Sequence, residues 1–154
     1  MKAPSPRLNA YYKFHIVIIT IAIFLAQGCL FRFIAPYNEK TEEAIFGASK
    51  LVDQFYGKLL DTAEDEREYS KFSEQYVLIE SELKTLVFRN KVRSLNEDST
   101  DICERILKLW RKYKERHKTK KDTYSTGTAK LDRNRFSRMF SYAARAEGAK
   151  KPNN

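Results

Sequence analysis

The chain contains little glycine, proline, cysteine or histidine. Its 154 residues include 5 glycines, 4 prolines, 2 cysteines and 2 histidines, whereas aromatic residues make up 13%. This composition excludes a disordered or fibrous chain. The sequence has no Gly-rich phosphate loop, no Gly-x-Ser-x-Gly elbow and no Cys/His spacing typical of zinc sites. We therefore predict a protein that is not an enzyme and that has no metal, no catalytic residue, no dissociable cofactor and no small-molecule substrate.

The amino-terminal residues have the pattern of an export segment. Residues 1–13 are basic and contain no acid, and residues 14–26 are largely apolar, which is typical of a secretory signal peptide. The apolar run ends in Ala26-Gln27-Gly28-Cys29, where small residues precede a cysteine as in a bacterial lipobox. We therefore predict a lipoprotein signal peptide at 1–28, a signal-peptidase recognition site at Ala26, Gln27 and Gly28, and lipidation of Cys29.

An uncleaved signal anchor is the alternative. The apolar run continues through Leu30 and Phe31 to about eighteen residues, near the lower limit for a membrane-spanning helix. In both interpretations the basic segment stays in the cytoplasm and the rest is translocated. We therefore expect a lipid-anchored protein of the bacterial cell envelope that faces the periplasm. Leu30 is not the aspartate that retains lipoproteins at the inner membrane, which favours the outer membrane.

The exported body is predicted to be helical. After a lipidated tether at 29–38, apolar residues recur every three or four positions over roughly 39–62, 65–93, 99–118 and 129–147. The clearest stripe follows an unbroken 3-4 spacing and consists of Tyr69, Phe72, Tyr76, Ile79, Leu83, Leu86 and Asn90. Asn90 either fixes the register of this stripe or marks a frayed helix end. Cys103 lies in a helical pattern and is predicted to be a buried, unpaired thiol.

The predicted fold class is all-α. Short connections favour an up-down antiparallel four-helix bundle over residues 39–147, behind the amino-terminal signal or anchor segment. A three-helix core with a loose fourth helix is the alternative. Residues 148–154 are predicted to be a disordered tail.

Positive charge is concentrated in the last two helices. The net charge is +9, and bases outnumber acids strongly from Arg105 onward. This pattern predicts a basic surface that could bind a polyanion such as anionic lipid, lipopolysaccharide, cell wall or DNA. The alternative is a solvated face that the acidic first helices partly neutralise. His117 lies among these bases, which disfavours a metal and a raised pKa. The candidate polyanion-binding residues are Arg111, Lys112, Lys114, Arg116, Arg133, Arg135 and Arg138.

Short motifs resemble an uncharacterised family of small helical bacterial lipoproteins. These motifs are the lipobox with Cys29, the Pro36-Tyr37-Asn38 step into a helix containing Thr41, and the final helix from Phe136 to Lys151. Asn38 stands where aspartate is commoner in the family. The resemblance implies a lipid-anchored helical body and no particular activity.

Together these patterns predict a non-enzymatic interaction module at the membrane. The expected partner is another envelope protein, as for lipoproteins of the accessory-subunit, exclusion or immunity type. Polyanion binding through the basic face of helices three and four is the alternative function. Because the body is exported, we do not expect nucleic acid as its usual partner.

Overall fold

The structure is a computed structural model that describes residues 34–119 and 124–152, together with the isolated residues 15 and 17. The predicted lipobox, Ala26-Gln27-Gly28-Cys29, lies outside the described residues. Within the described residues, no helix combines the length and the apolar character needed to cross a membrane.

Four helices of the described body confirm the predicted all-α fold. The differences from the predicted bounds are largest at the start of the second helix, where Glu64–Glu66 forms a separate 3-10 turn. The helices are α1 (Glu39–Asp61), α2 (Tyr69–Lys91), α3 (Glu97–Thr119) and α4 (Thr126–Gly148).

The helices form a closed ring of neighbours. Helix α1 packs on α2 and α4, and α3 packs on the same two helices. The starts of α1 and α3 and the ends of α2 and α4 meet at one end of the bundle, which we call the proximal pole. The opposite end is the distal pole. Because Phe136 and Phe140 of α4 are buried in the shared core, the alternative with a loose fourth helix is wrong.

Local capping explains where two of the helices begin. The Asn38 side chain accepts a hydrogen bond from the Thr41 backbone N–H (2.9 Å), which satisfies a donor at the start of α1. Ser125 caps α4 in the same way by accepting from the Thr128 N–H (3.3 Å). Both caps are short polar side chains that directly precede an amphipathic stripe, so the chain changes from extended to helical backbone at these residues.

Aromatic rings fill the centre of the bundle. The Phe55 ring lies 4.6 Å from Tyr76 and 5.1 Å from Trp110, centroid to centroid. Trp110 is fully buried, and its indole N–H donates to the Tyr76 carbonyl (3.1 Å). Each helix therefore contributes its apolar stripe to one common core, with the buried polar atom of the tryptophan satisfied.

Most of the stripe predicted for the second helix is buried. The stripe of α2 is buried from Phe72 onward, whereas Tyr69 is only partly buried. In α3 the buried line runs through Cys103, and Ile102 and Leu109 flank it. Burial of Cys103 confirms that prediction, and desolvation raises the pKa of its thiol to about 12.

Asn90 is a buried register residue and not a frayed end. Its side-chain N–H₂ donates to the Leu86 carbonyl (2.9 Å), and its Oδ1 accepts from the Asn96 side chain (3.0 Å). The Asn96 amide also donates to the Asn90 carbonyl (3.0 Å). Two asparagines thus fix the short turn between α2 and α3.

The residues that follow α4 are held against the bundle. The Lys150 ammonium donates to Asn96 Oδ1 (2.6 Å) and Ser99 Oγ (2.8 Å), and Lys151 pairs with Glu42 (3.1 Å). The prediction of a disordered tail at 148–154 is therefore wrong for these two lysines, because acceptors at the proximal pole bind them. Residues 153 and 154 lie outside the described residues.

Candidate interaction surfaces

Two predicted cations share one carboxylate of α2. Arg111 Nε donates to Glu80 Oε1 and Lys114 Nζ donates to Glu80 Oε2, both at 3.0 Å, and Lys84 lies 3.2 Å from Oε1. Partial burial alone would raise the pKa of Glu80. The hydrogen bonds from Lys114, Arg111 and Lys84 outweigh this effect and lower that pKa to about 2. Glu80 therefore offsets one of the three positive charges that surround it.

Two further predicted cations lie beside a buried acid of α4. Arg116 pairs with Asp132, which is fully buried and also accepts from the Tyr124 hydroxyl (2.5 Å). Arg135 Nη1 lies 3.6 Å from Asp132 Oδ1 and donates to the Tyr113 hydroxyl (2.8 Å). Within the described residues, Asp132 Oδ1 has no hydrogen-bond partner.

The three remaining candidates divide into one paired and two unpaired residues. Arg133 makes a bidentate ion pair with Asp53 of α1 (2.7 and 2.8 Å). Lys112 and Arg138 are exposed, and neither makes an ion pair with another described residue. Five of the seven candidates thus bond to other residues of the bundle, several of them at its surface, and the acids of the first two helices pair with Arg111, Lys114 and Arg133.

An unpaired basic stripe lies on the outer face of α3. Arg105, Lys108 and Lys112 are exposed and spaced at i, i+3 and i+7, so they lie on one side of the helix. No ion pair joins them to acids in the described parts of the chain. Arg105 and Lys108 were not among the predicted site residues, although their helical spacing with Lys112 could have identified them.

A buried carboxylate organises the proximal pole. Glu147 is fully buried and accepts from the Asn38 backbone N–H (2.8 Å), from both terminal nitrogens of Arg93 (3.1 and 3.0 Å) and from Lys150 (2.7 Å). Desolvation would raise the pKa of Glu147, but the hydrogen bonds from Arg93, Lys150 and Asn38 together lower it. This cluster, which we call the clasp, joins the start of α1 to the ends of α2 and α4.

The chain segment before α1 is fixed to the same pole. The Ala35 N–H donates to the Leu95 carbonyl (2.7 Å), and Arg93 also donates to the Pro36 carbonyl. Ala35 is 1% exposed. The part of the predicted tether from Ala35 onward is therefore hydrogen-bonded to the bundle, with Ala35 buried, and is not a free linker.

A second buried network closes the distal pole. Arg67 is 4% exposed, and its guanidinium donates to the carbonyls of Thr62 (2.8 Å), Tyr124 (3.0 Å) and Leu60 (3.2 Å). His117 Nε2 lies 2.7 Å from the Arg67 carbonyl, which can only accept, so Nε2 carries a proton. Burial lowers the pKa of His117, and this agrees with the expectation that its pKa is not raised.

Exposed apolar side chains occur in two groups of interest. The first group lies on the outer side of α2, where Val77 is 59%, Leu78 56% and Phe88 67% exposed. The second group, which we call the proximal cap, consists of Ile34 (53%), Val92 (63%) and Leu95 (50%). In the cap, the bond between Ala35 and Leu95 brings Ile34 beside the turn that contains the other two residues.

Within the described ranges, no three His, Cys, Asp or Glu side chains are grouped so that they could hold a metal ion. The predicted lipid site at Cys29 lies outside those ranges and stays a prediction.

Comparisons with protein-family models, with curated proteins and with solved structures find no match to this chain. The resemblance to small lipoproteins stays a prediction from its short motifs.

Proposed function

We propose that this chain is a membrane-tethered, non-enzymatic helical module of the bacterial cell envelope that binds another envelope protein. The basic and apolar pattern of residues 1–31 supports the tether, either as a lipid on Cys29 or as an uncleaved anchor. The exposed apolar side of α2 supports the partner. A soluble helix usually keeps its outer side polar, so large exposed apolar residues on one helix favour an interaction surface.

The geometry of α2 suits a helical partner. Val77 and Phe88 are eleven residues apart, which brings them to nearly the same side of the helix about 16 Å apart. Beside them, Leu78 lines a groove of about 210 Å³ between α1 and α2, together with Leu51 and Phe55. A second amphipathic helix could place one apolar side chain in this groove and pack others on Phe88. The apolar side of α2 is the observation that carries the proposal.

Crosslinking in native membranes tests the partner. The full chain with Val77→Ser and Phe88→Ser is compared with the wild type and with a control, Leu131→Ser and Tyr142→Ser, whose residues are equally exposed on α4. We expect one envelope protein to crosslink to the wild type and to the control but not to the α2 variant. Equal crosslinking of all three chains would refute the role of α2.

The tether has its own test. Cys29→Ser should abolish metabolic labelling with radioactive palmitate and leave an unprocessed precursor in the membrane. If the variant is labelled normally, Cys29 is not the lipidation site.

A second candidate function, polyanion binding, is supported by the unpaired stripe of Arg105, Lys108 and Lys112. Binding to immobilised heparin should weaken steeply with added salt and should be lost when all three become glutamine. The matched control is Arg111→Gln with Lys114→Gln, whose cations are already paired with Glu80. Salt-independent retention would exclude this function.

A further inference from the structure

We propose that the proximal cap, formed by Ile34, Val92 and Leu95, contacts the apolar part of a lipid bilayer, so that the bundle stands with its proximal pole on the membrane. This inference rests on the proposed membrane tether and adds an orientation and a second, non-covalent contact to it. The occupant of the cap is the bilayer to which the chain is attached.

The first argument is the short reach of the tether. Backbone and side-chain hydrogen bonds of the proximal pole hold the chain from Ala35 onward. Ala35 is the sixth residue after Cys29, and a chain of that length spans at most about 20 Å. A lipid on Cys29 would therefore keep the proximal pole close to the bilayer, and a spanning anchor that ends at Phe31 would keep it closer still.

The second argument is the composition of the cap. Ile34, Val92 and Leu95 are each at least half exposed; the bond from the Ala35 N–H to the Leu95 carbonyl joins the segment that follows Ile34 to the turn that contains Val92 and Leu95. Leaving three large aliphatic side chains in water at one place is unfavourable. The cost is removed if the surface beside them is hydrocarbon.

The third argument is the backbone of Leu95. Its φ is 59°, and among the described residues other than glycine it is the only one with a positive φ. A left-handed conformation costs a branched residue such as leucine free energy that glycine or asparagine would avoid. The free-energy cost of this backbone conformation and of the exposed side chain is offset if the Leu95 side chain contacts an apolar surface outside the bundle.

The charges at this pole indicate an apolar contact rather than an electrostatic one. Lys91 and Arg93 lie near the cap, but Glu97 and Asp98 begin α3 at the same pole. Bases and acids are thus mixed there. The contact should therefore form on zwitterionic lipid and should be insensitive to salt.

Tryptophan quenching by brominated lipid tests the contact. The full lipidated chain is reconstituted in vesicles of dibromo-phosphatidylcholine, with tryptophan introduced by Val92→Trp or, as a distal-pole control, by Leu131→Trp. Native Trp110 is fully buried and contributes the same background to both. We expect strong quenching of the Val92→Trp chain, unchanged by added salt, and none of the Leu131→Trp chain.

The outcomes separate this inference from the proposed function. If the protein does not float with the vesicles, the tether and the orientation both fail. If it floats but neither tryptophan is quenched, or both are equally, only the orientation fails. A blue shift at position 92 that grows with protein concentration without lipid quenching would assign the cap to a second copy of the chain and overturn the bilayer contact.

A second variant tests the cap without placing a probe in the leucine turn. Leu95→Asn keeps a residue that adopts a left-handed conformation and removes the apolar side chain. Combined with Val92→Trp, it should lower the ratio of docked to undocked bundles about tenfold, seen as weaker quenching, because one buried leucine is lost. Unchanged quenching in a chain with normal far-ultraviolet circular dichroism would contradict the role of Leu95.

Discussion

The two poles of the bundle are closed by different chemistry. At the proximal pole the buried carboxylate of Glu147 binds Asn38, Arg93 and Lys150, which come from three separate parts of the chain. At the distal pole the buried carboxylate of Asp132 binds nearer neighbours in sequence, Tyr124 and Arg116. There the long-range links come instead from the Arg67 guanidinium and from neutral His117.

The two poles show two ways in which a small bundle can hold the ends of its helices together by hydrogen bonds. A charged acceptor with several charge-assisted donors makes one strong, geometry-specific cluster, and it lies where the proposed membrane tether would meet the folded body. At the other end the buried Arg67 guanidinium donates to backbone carbonyls and lies 3.9 Å from the half-exposed carboxylate of Glu64. The first arrangement depends on one acid, whereas the second is spread over several neutral acceptors.

Glu147→Gln should give the largest loss of stability. The change leaves Arg93 and Lys150 partly buried without their counter-charge, which costs about 3–5 kcal/mol of unfolding free energy. Urea unfolding followed by Trp110 fluorescence measures it. Glu115→Gln is the control, because Glu115 is exposed and makes no ion pair with a described residue; an equal loss in the two variants would contradict the special role of Glu147.

Asp132→Asn should cost less, about 1–3 kcal/mol. Asn can still accept from Tyr124, the Oδ1 atom has no hydrogen bond to lose among the described residues, and Arg116 is 28% exposed and can turn to water. The same urea experiment ranks the two poles directly. A loss larger than that of Glu147→Gln would reverse the comparison.

The two poles should also respond to different pH ranges. The folded-state pKa of His117 lies below its ordinary value of 6.5, so unfolded chains bind more protons and stability falls as pH drops below about 6.5. Glu147 has a lowered pKa, so its contribution is complete above about 4.5 and is lost at lower pH. The unfolding free energies of the wild type and of His117→Gln are measured from pH 4 to 8. Plotted against pH, the two curves should differ in slope only near and below pH 6.5. Parallel curves over the whole range would show that His117 does not titrate in this way.

Leu95→Asn should have the smallest effect and the opposite sign. Relief of the left-handed leucine should raise the unfolding free energy by about 1 kcal/mol in the absence of lipid. The measurement uses urea unfolding of chains that lack residues 1–29 and therefore need neither lipid nor detergent. Destabilisation would show that the Leu95 side chain supports the proximal pole itself and is not held for an external contact.

The helices and their stripes were predictable because they depend on local spacing. The line from Tyr69 to Asn90 indicated α2, and Phe72, Leu83 and Asn90 are indeed buried along it. The acids of α4 were missed as core residues. Neither Asp132 nor Glu147 was predicted to be buried.

A helical signal for those acids was present. Ala129, Asp132, Phe136, Phe140, Ala143 and Glu147 recur every three or four residues, so both acids lie on the buried side of α4. What could not be predicted is their partners. Arg93 and Glu147 are 54 residues apart, and only the packed ring of helices brings them together. The same holds for Arg67, which donates to carbonyls at the end of α1 and, 57 residues further along the chain, at Tyr124.

The position of the carboxyl-terminal lysines has a practical consequence for protein engineering. Lys150 and Lys151 are bound at the proximal pole, where the chain also begins its folded part. An affinity tag or fluorescent protein joined after Asn154 would therefore start beside the predicted membrane side and compete with it for space. The connection between α3 and α4, at the distal pole, is the better insertion point for a reporter.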